Sequence, residues 1–383
     1  TASACGEVYS ASDFDLEAHV KAYSYEFPPD LPFDASEWET CDGKPYLGDP
    51  RAVRVEGRAF KVPWIAFPTT LRTEGPNANS MQTRAIHNLM YEAMVGLHPE
   101  TGEWTPGLAR YWKTEDHADG TQTFTFRLDE RARWSDGEPV EADDVYYSWW
   151  HRVQEDRKEP SSVMTYTEGF EEPKVLDRLT ISVKTKKPNW RLFLYFGGMA
   201  IYPAPYVKLP GDVYLKLYNW RMFPGTGPYR FDPGGMKKGE YLTMYRRDDW
   251  WGDQDPSNAH QYNFDQVRYI TIRDREMIYE TYRERDPDSL DWYVVGMARR
   301  WKEDIPKEEI IDKGWVQKRK LYNEHPVGYN GMCFNMRVPP FNDKRVRMAF
   351  AHLFNRERLM EKLFFNEYEF TNSIFPGRDW GSG

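Results

Sequence analysis

Eight histidines, three cysteines and several pairs of adjacent carboxylates are the residues of this 383-residue chain best suited to chemistry. Their spacing decides what they can do. Cys5, Cys41 and Cys333 fit no zinc pattern. In an oxidising compartment Cys5 and Cys41 can close a disulfide, stabilising the fold by roughly 3–4 kcal/mol if unstrained and leaving Cys333 buried and inert between Met332 and Phe334. Three unpaired thiols is the other reading. His87 and His98 stand too far apart for a helix-borne metal pair, and no HExxH, CxxC, GxSxG or P-loop occurs. The carboxylate pairs Asp143-Asp144, Asp248-Asp249 and Glu308-Glu309 point their members to different faces, so each reads as a solvated helix start or turn. Gly225 and Gly227 are close enough to suggest a phosphate cradle. Pro228 lacks an N–H and no GKS/T or GxGxxG follows, so a structural turn outweighs it, with the glycines supplying backbone angles closed to other residues. These residues predict no catalysis, no metal and no cofactor.

Composition narrows the partners. A net charge of −9 argues against nucleic acid and against an anionic membrane. Aromatics are abundant, with 15 Trp and 25 Tyr, enough for the cores and for a groove lined with ring faces. No run reaches the length of a membrane span, and no basic, apolar leader opens the chain; a mature exported protein reads this way, and so does a cytosolic one. The length suggests two domains or two lobes.

The elements that position these residues alternate in type. Leu89, Tyr91 and Val95 fit one helical run. Next, Asp119-Gly120 turns a hairpin in which Phe124, Phe126 and Leu128 alternate with Thr123, Thr125 and Arg127. Asp136-Gly137 turns into a helix with Val145, Trp149 and Val153 on one face and Asp143 and Asp144 in its first turn. Residues 60–67 read as the first strand, followed by a polar loop over 68–79. Leu179, Ile181 and Val183 alternate in a further strand; residues 242–251 and 267–272 make two more, and 273–284 a helix. Asn342 or Asp343 caps a helix whose Val346, Phe350 and Leu353 share a face, and Asn355 caps another that buries Leu359, Met360 and Leu363.

One set of residues stands in a telling order: Tyr91, Glu92, Pro106, Leu108, Ala109, Trp112, Asp119, Gly120, Phe124, Phe126, Leu128, Trp134, Asp136, Gly137, Ala142, Asp144, Val145 and Ser148. That order resembles the extracellular solute-binding proteins of peptide-type ABC importers, called family 5. The segment Gly225-Thr226-Gly227-Pro228-Tyr229 resembles the same family. So do Phe334-Asn335, Pro339-Pro340-Phe341, Asp343, Arg345-Val346-Arg347, Ala349 and Arg356. One departure is Glu141, where the family often places a capping Thr; Glu caps poorly.

The resemblance implies an α/β, two-lobed periplasmic-binding-protein-like fold with an extra subdomain in the first lobe. It divides the chain into an N-terminal arm (1–57), a first lobe (58–292) with an inserted subdomain at about 80–200, and the start of a second lobe (293–383). It implies closure around a solute in the periplasm or outside the cell, delivery to an ABC transporter permease, and no covalent chemistry. Oligopeptide is the expected ligand. Oligosaccharide is the alternative that the tryptophans favour, and a glycan-active enzyme is the rival from another class. In the family, the loop after the first strand borders the cleft. Thr69, Thr70 and Asn77 are therefore candidate ligand residues, with Asn335 in the second lobe, though the loop also reads as ordinary surface. Family members usually continue beyond the last matched segment, so the resemblance implies an incomplete second lobe and main ligand anchors beyond residue 383.

Overall fold

A computed structural model describes residues 14–41, 48–284, 289–296, 298–320 and 331–370. Its strands are β1 (Val55–Trp64), β2 (Val95–Leu97), β3 (Trp104–Pro106), β4 (Ala109–Asp116), β5 (Gln122–Leu128), β6 (Lys174–Val175), β7 (Thr180–Lys184), β8 (Tyr229–Lys237), β9 (Tyr241–Arg246) and β10 (Phe264–Thr271). One sheet has the order β1-β10-β9-β8, with β1 parallel to β10 and the other neighbours antiparallel. A second, wholly antiparallel sheet has the order β4-β5-β7-β6. The hairpin formed by β4 and β5 follows the alternation in the sequence: Phe124, Phe126 and Leu128 are buried. Its turn residue Gly120 has φ +80°, a conformation glycine adopts without a Cβ clash.

Three helices matter most: α1 (Leu16–Ala22), α2 (Met81–Met90) and α3 (Ala142–Val153). Leu89, Tyr91 and Val95 do not share one helix. The α2 helix stops at Met90, whose carbonyl accepts from the Gly227 amide at 2.8 Å rather than from a following turn, and Val95 opens β2. The α3 helix begins where expected, although Glu141 is a poor cap. Asp144, in the first turn, reaches back to accept from the Glu141 amide at 2.9 Å. Asp144 is also fully buried, so the expectation of a solvated helix start fails there; two of its partners, Tyr25 and Ala204, lie far away in sequence.

Each sheet has its own core. Phe124, Phe126, Trp134, Val145, Trp149 and Phe196 fill the one around β5. Trp64, Ile86, Met90, Tyr91, Tyr214, Leu242 and Met244 fill the one around β9. The chain divides into two compact units. The larger takes in the described residues up to His98 together with Glu103–Tyr293; the smaller takes in Pro99–Gly102 and the described residues from Val294 on.

Within the larger unit, the described part of the N-terminal arm is a strap. Tyr23 Oη donates to Asp143 and Tyr25 Oη to Asp144, each at 3.1 Å. The Leu31 amide donates to Asp177 at 3.2 Å, and Glu39 bridges Trp112 on β4, the edge strand of its sheet.

The turn at Gly225-Thr226-Gly227 packs closely on α2, but its glycines do not supply the special backbone angles expected of them. Neither glycine has positive φ. Both lie against α2: a Cβ on Gly225 would stand 2.2 Å from the Met90 carbonyl oxygen, and one on Gly227 2.6 Å from that of Leu89. Gly227→Ala should therefore lower stability by about 1–3 kcal/mol, the usual range for forcing extra volume into a packed site. A urea titration showing an unchanged midpoint would mean that the end of α2 moves aside freely.

In the smaller unit, Asp343 caps helix Lys344–Leu353 and Asn355 caps helix Arg356–Lys362, as read from the sequence. Neither helix buries a residue. Val346, Leu359 and Met360 are half-buried, while Phe350, Leu353 and Leu363 are exposed. Cys333 is exposed too, contrary to the expected burial. Among the described residues this unit has short helices and no sheet, so no opposing layer covers these positions. Cys5 lies outside the described residues, and its expected bridge to Cys41 with it.

Candidate functional site

Segment 65–80, between the end of β1 and the Ser80 cap of α2, carries three of the four expected ligand residues. Thr69 and Asn77 are exposed, and Asn77 sits at φ +64°, in the left-handed region that asparagine tolerates best among non-glycine residues. Thr70 is buried: its hydroxyl donates to the Asn219 carbonyl at 3.2 Å and accepts from the Arg72 amide at 3.2 Å. Asn335 lies in the smaller unit, exposed, with its side-chain oxygen accepting from the Arg337 amide at 3.1 Å.

The segment leads straight into a surface missed at the sequence level. The α2 helix turns Thr83, Ile86 and Met90 inward. Its opposite stripe, Met81, Arg84, Ala85 and Asn88, lines an open depression of about 460 Å³. Arg84 Nε reaches back to the Asn79 side-chain oxygen at 2.9 Å, tying stripe and loop together. The signal was present in the spacing i, i+3, i+4, i+7, which puts a methionine and an alanine on the polar face. These groups offer a flexible thioether, a guanidinium and an amide, which suit binding by contact and hydrogen bond.

Behind α2, the Gly225–Gly227 turn meets a carboxylate. The Glu92 amide donates to Thr226 Oγ1 at 3.2 Å, and Trp251 Nε1 donates to Glu92 Oε2 at 3.0 Å. Burial among these groups lifts the Glu92 carboxyl to about 7, against the opposing pull of its hydrogen bonds. The folded state thus holds this proton more tightly than the unfolded chain. The resulting contribution is complete below the unfolded carboxylate pKa of about 4.3 and is lost as pH rises through about 7. The melting temperature should accordingly fall by several degrees between pH 5 and pH 8, and Glu92→Gln should flatten that slope. Equal slopes in the two proteins would show that Glu92 does not titrate there.

His87 sits beside this turn as a satisfied structural histidine: Nε2 lies 3.0 Å from the Leu71 carbonyl, and burial lowers it to about 4. Among the described residues, no group of three His, Cys, Asp or Glu side chains is placed to hold a metal ion.

The model of the bacterial extracellular solute-binding proteins, family 5, middle region, matches residues 103–383. The chain belongs to that family. Similar curated proteins include an uncharacterised protein, y4wM, of Sinorhizobium fredii, 30% identical over 67% of this chain and 38% of its own length. Another is the probable peptide-binding protein YejA of Agrobacterium fabrum, 26% identical over 70% of this chain and 43% of its own. Among solved structures, the oligopeptide-binding protein AppA of Bacillus subtilis, in complex with a nonapeptide, superposes with a TM-score of 0.64. It is 19% identical, over 83% of this chain and 57% of that one. A periplasmic oligopeptide-binding protein of Thermotoga maritima, with mannohexaose bound, gives 0.61 at 16% identity, over 83% and 56%. The fold is that of the two-lobed periplasmic binding proteins, and this family 5 chain spans well under two thirds of each of these relatives. Family 5 proteins are extracellular or periplasmic solute-binding proteins of ABC transporters. Among the described residues, no helix is long and apolar enough to cross a membrane.

Proposed function

We propose that this family 5 chain binds oligopeptides for an ABC importer, with residues 58–292 acting as the first lobe and the chain from 293 on contributing to the second. On this reading it hands the peptide to a membrane permease and performs no chemistry. The observation that carries it is the mixed character of the surface running from segment 65–80 onto α2. Thr69, Asn77 and Asn88 can meet peptide amides, which every peptide carries, and exposed Met81 can adapt to side chains, which vary. The peptide-binding description of the Agrobacterium relative and the nonapeptide bound to AppA support the same class of ligand. The mannohexaose-bound neighbour favours an oligosaccharide as second reading. Trp64, Trp112, Trp134, Trp149 and Trp250 are spent in buried positions, while Trp190, Trp292 and Trp315 are exposed away from segment 65–80 in sequence.

Titration of this chain with a defined tri- to nonapeptide mixture and with manno-oligosaccharides, followed by NMR line shifts, tests the proposal by ranking rather than by absolute affinity. Peptides should rank first, with shifts at Thr69, Asn77 and Asn88. Stronger shifts from the sugars would overturn it.

A further inference from the structure

Segment 65–80 has no helix or strand of its own, yet it is tied down at nearly every residue from 70 to 76. The Leu71 amide donates to the Asn219 carbonyl at 2.9 Å, and Thr83 Oγ1 donates to the Thr70 carbonyl at 2.9 Å. Arg72 runs beneath the loop. Its Nη1 donates to the Leu215 carbonyl (2.9 Å) and to Asn219 Oδ1 (3.1 Å), and its Nη2 to the loop's own Pro76 carbonyl (2.7 Å). Tyr214, fully buried, meets Thr73 Oγ1 at 2.9 Å and accepts from the Glu74 amide at 3.1 Å. The Glu74 side chain, 13% exposed, lies 3.4 Å from Nε of Arg152, itself 6% exposed. Arg152 in turn donates to the Ser148 and Ala200 carbonyls. At Gly75, φ is +102° and a Cβ would stand 2.9 Å from the Arg157 carbonyl oxygen.

Two charged residues that a surface loop would normally turn to solvent are here turned inward. A buried ion pair adds little net stability because of its desolvation cost, but it fixes geometry, since breaking it leaves a buried charge uncompensated. What the ties leave outward is Ile65, Ala66, Thr69, Pro76, Asn77 and Asn79. We propose that Arg72 and Glu74 are positioning residues that hold segment 65–80 as a preformed wall for the ligand, an inference that rests on the peptide-binding reading. A wall already ordered in the free protein loses little conformational freedom on binding, so affinity is not spent on arranging it.

Hydrogen exchange and peptide titration on wild type, Glu74→Gln and Thr73→Val test this. Thr73→Val removes one tie without touching a charge, so the test survives if the first variant folds poorly. In wild type, amides 69–79 should exchange slowly and become slower still with the peptide mixture. Each variant should raise exchange in that stretch by about tenfold and weaken peptide binding by about tenfold, while the rest of the larger unit exchanges as before. Exchange that rises throughout the unit, with affinity per folded molecule unchanged, marks a merely structural role and overturns the inference. Faster loop exchange with unchanged affinity also overturns it, and leaves the peptide reading standing. Manno-oligosaccharides ranking above peptides in wild type sink the peptide reading first.

Discussion

Replacing Arg247 with methionine should cost about 3–5 kcal/mol of stability, the range for removing one partner of a buried, charged hydrogen-bond set. Arg247 is 2% exposed and spends its guanidinium on backbone. Nη1 donates to the Gly225 carbonyl at 3.1 Å and to that of Gly227 at 3.3 Å, Nη2 to that of Trp134 at 3.2 Å. Nε pairs with exposed Asp249 at 3.1 Å. Methionine fills much of the volume but donates nothing, so the Gly225 and Gly227 carbonyls lose this donor and the Trp134 carbonyl keeps only the Gly137 amide, at 3.0 Å. The same arginine joins the turn, which packs on α2, to Trp134, which belongs to the core of the other sheet. A guanidinium chloride titration reads the effect as a lower midpoint. A loss below about 1 kcal/mol would show that water reaches these carbonyls.

Asp144→Asn should be comparably damaging, at about 3–5 kcal/mol. The carboxylate is fully buried and receives two donors on each oxygen. Tyr25 Oη (3.1 Å) and the Ala204 amide (2.8 Å) meet Oδ1; Trp134 Nε1 (3.2 Å) and the Glu141 amide (2.9 Å) meet Oδ2. Burial raises this carboxyl above its usual range while these donors pull it down. Asparagine keeps one acceptor and turns an NH₂ toward two donors, an arrangement that rotation of the amide cannot repair. Asp144→Ala, which removes the acceptor without adding a donor, separates the two effects in the same melting experiment. An asparagine variant as stable as wild type would mean that one pair of donors is dispensable.

These two residues show why some of the structure was legible in the sequence and some was not. The hairpin of β4 and β5 and the strand β7 announce themselves through period-two alternation and a glycine turn, signals that lie within a dozen residues of each other. The Asp343 and Asn355 caps are equally local. Asp144 looked like an exposed helix start because the residues that bury it come from positions 25, 134 and 204. Arg247 looked like one more charge in a strand, since its partners are carbonyls, which sequence does not distinguish. The candidate site divides in the same way. The family resemblance drew attention to Thr69, Thr70 and Asn77 in segment 68–79, but the burial of Thr70 and the inward course of Arg72 and Glu74 depend on Asn219, Tyr214, Leu215 and Arg152. The outward stripe of α2 was readable from helical spacing once the start of the helix at Met81 was known.

The strap formed by the N-terminal arm also bears on the order of events during synthesis. Tyr25 and Leu31 find their partners 119 and 146 residues further along the chain. At about 5–20 residues per second, a ribosome exposes these anchors many seconds before Asp144 and Asp177 exist to receive them. This early stretch must wait for partners made later, and closing so long a loop has an entropic cost that slows its docking. Until it docks, the outer edge of β4 lacks its cover at Trp112, and aromatic residues such as Phe33 and Trp38 stand ready to pair with the wrong chain. This interval is where a holding chaperone would matter most to the protein, and where crowding by its own nascent copies would do the most harm.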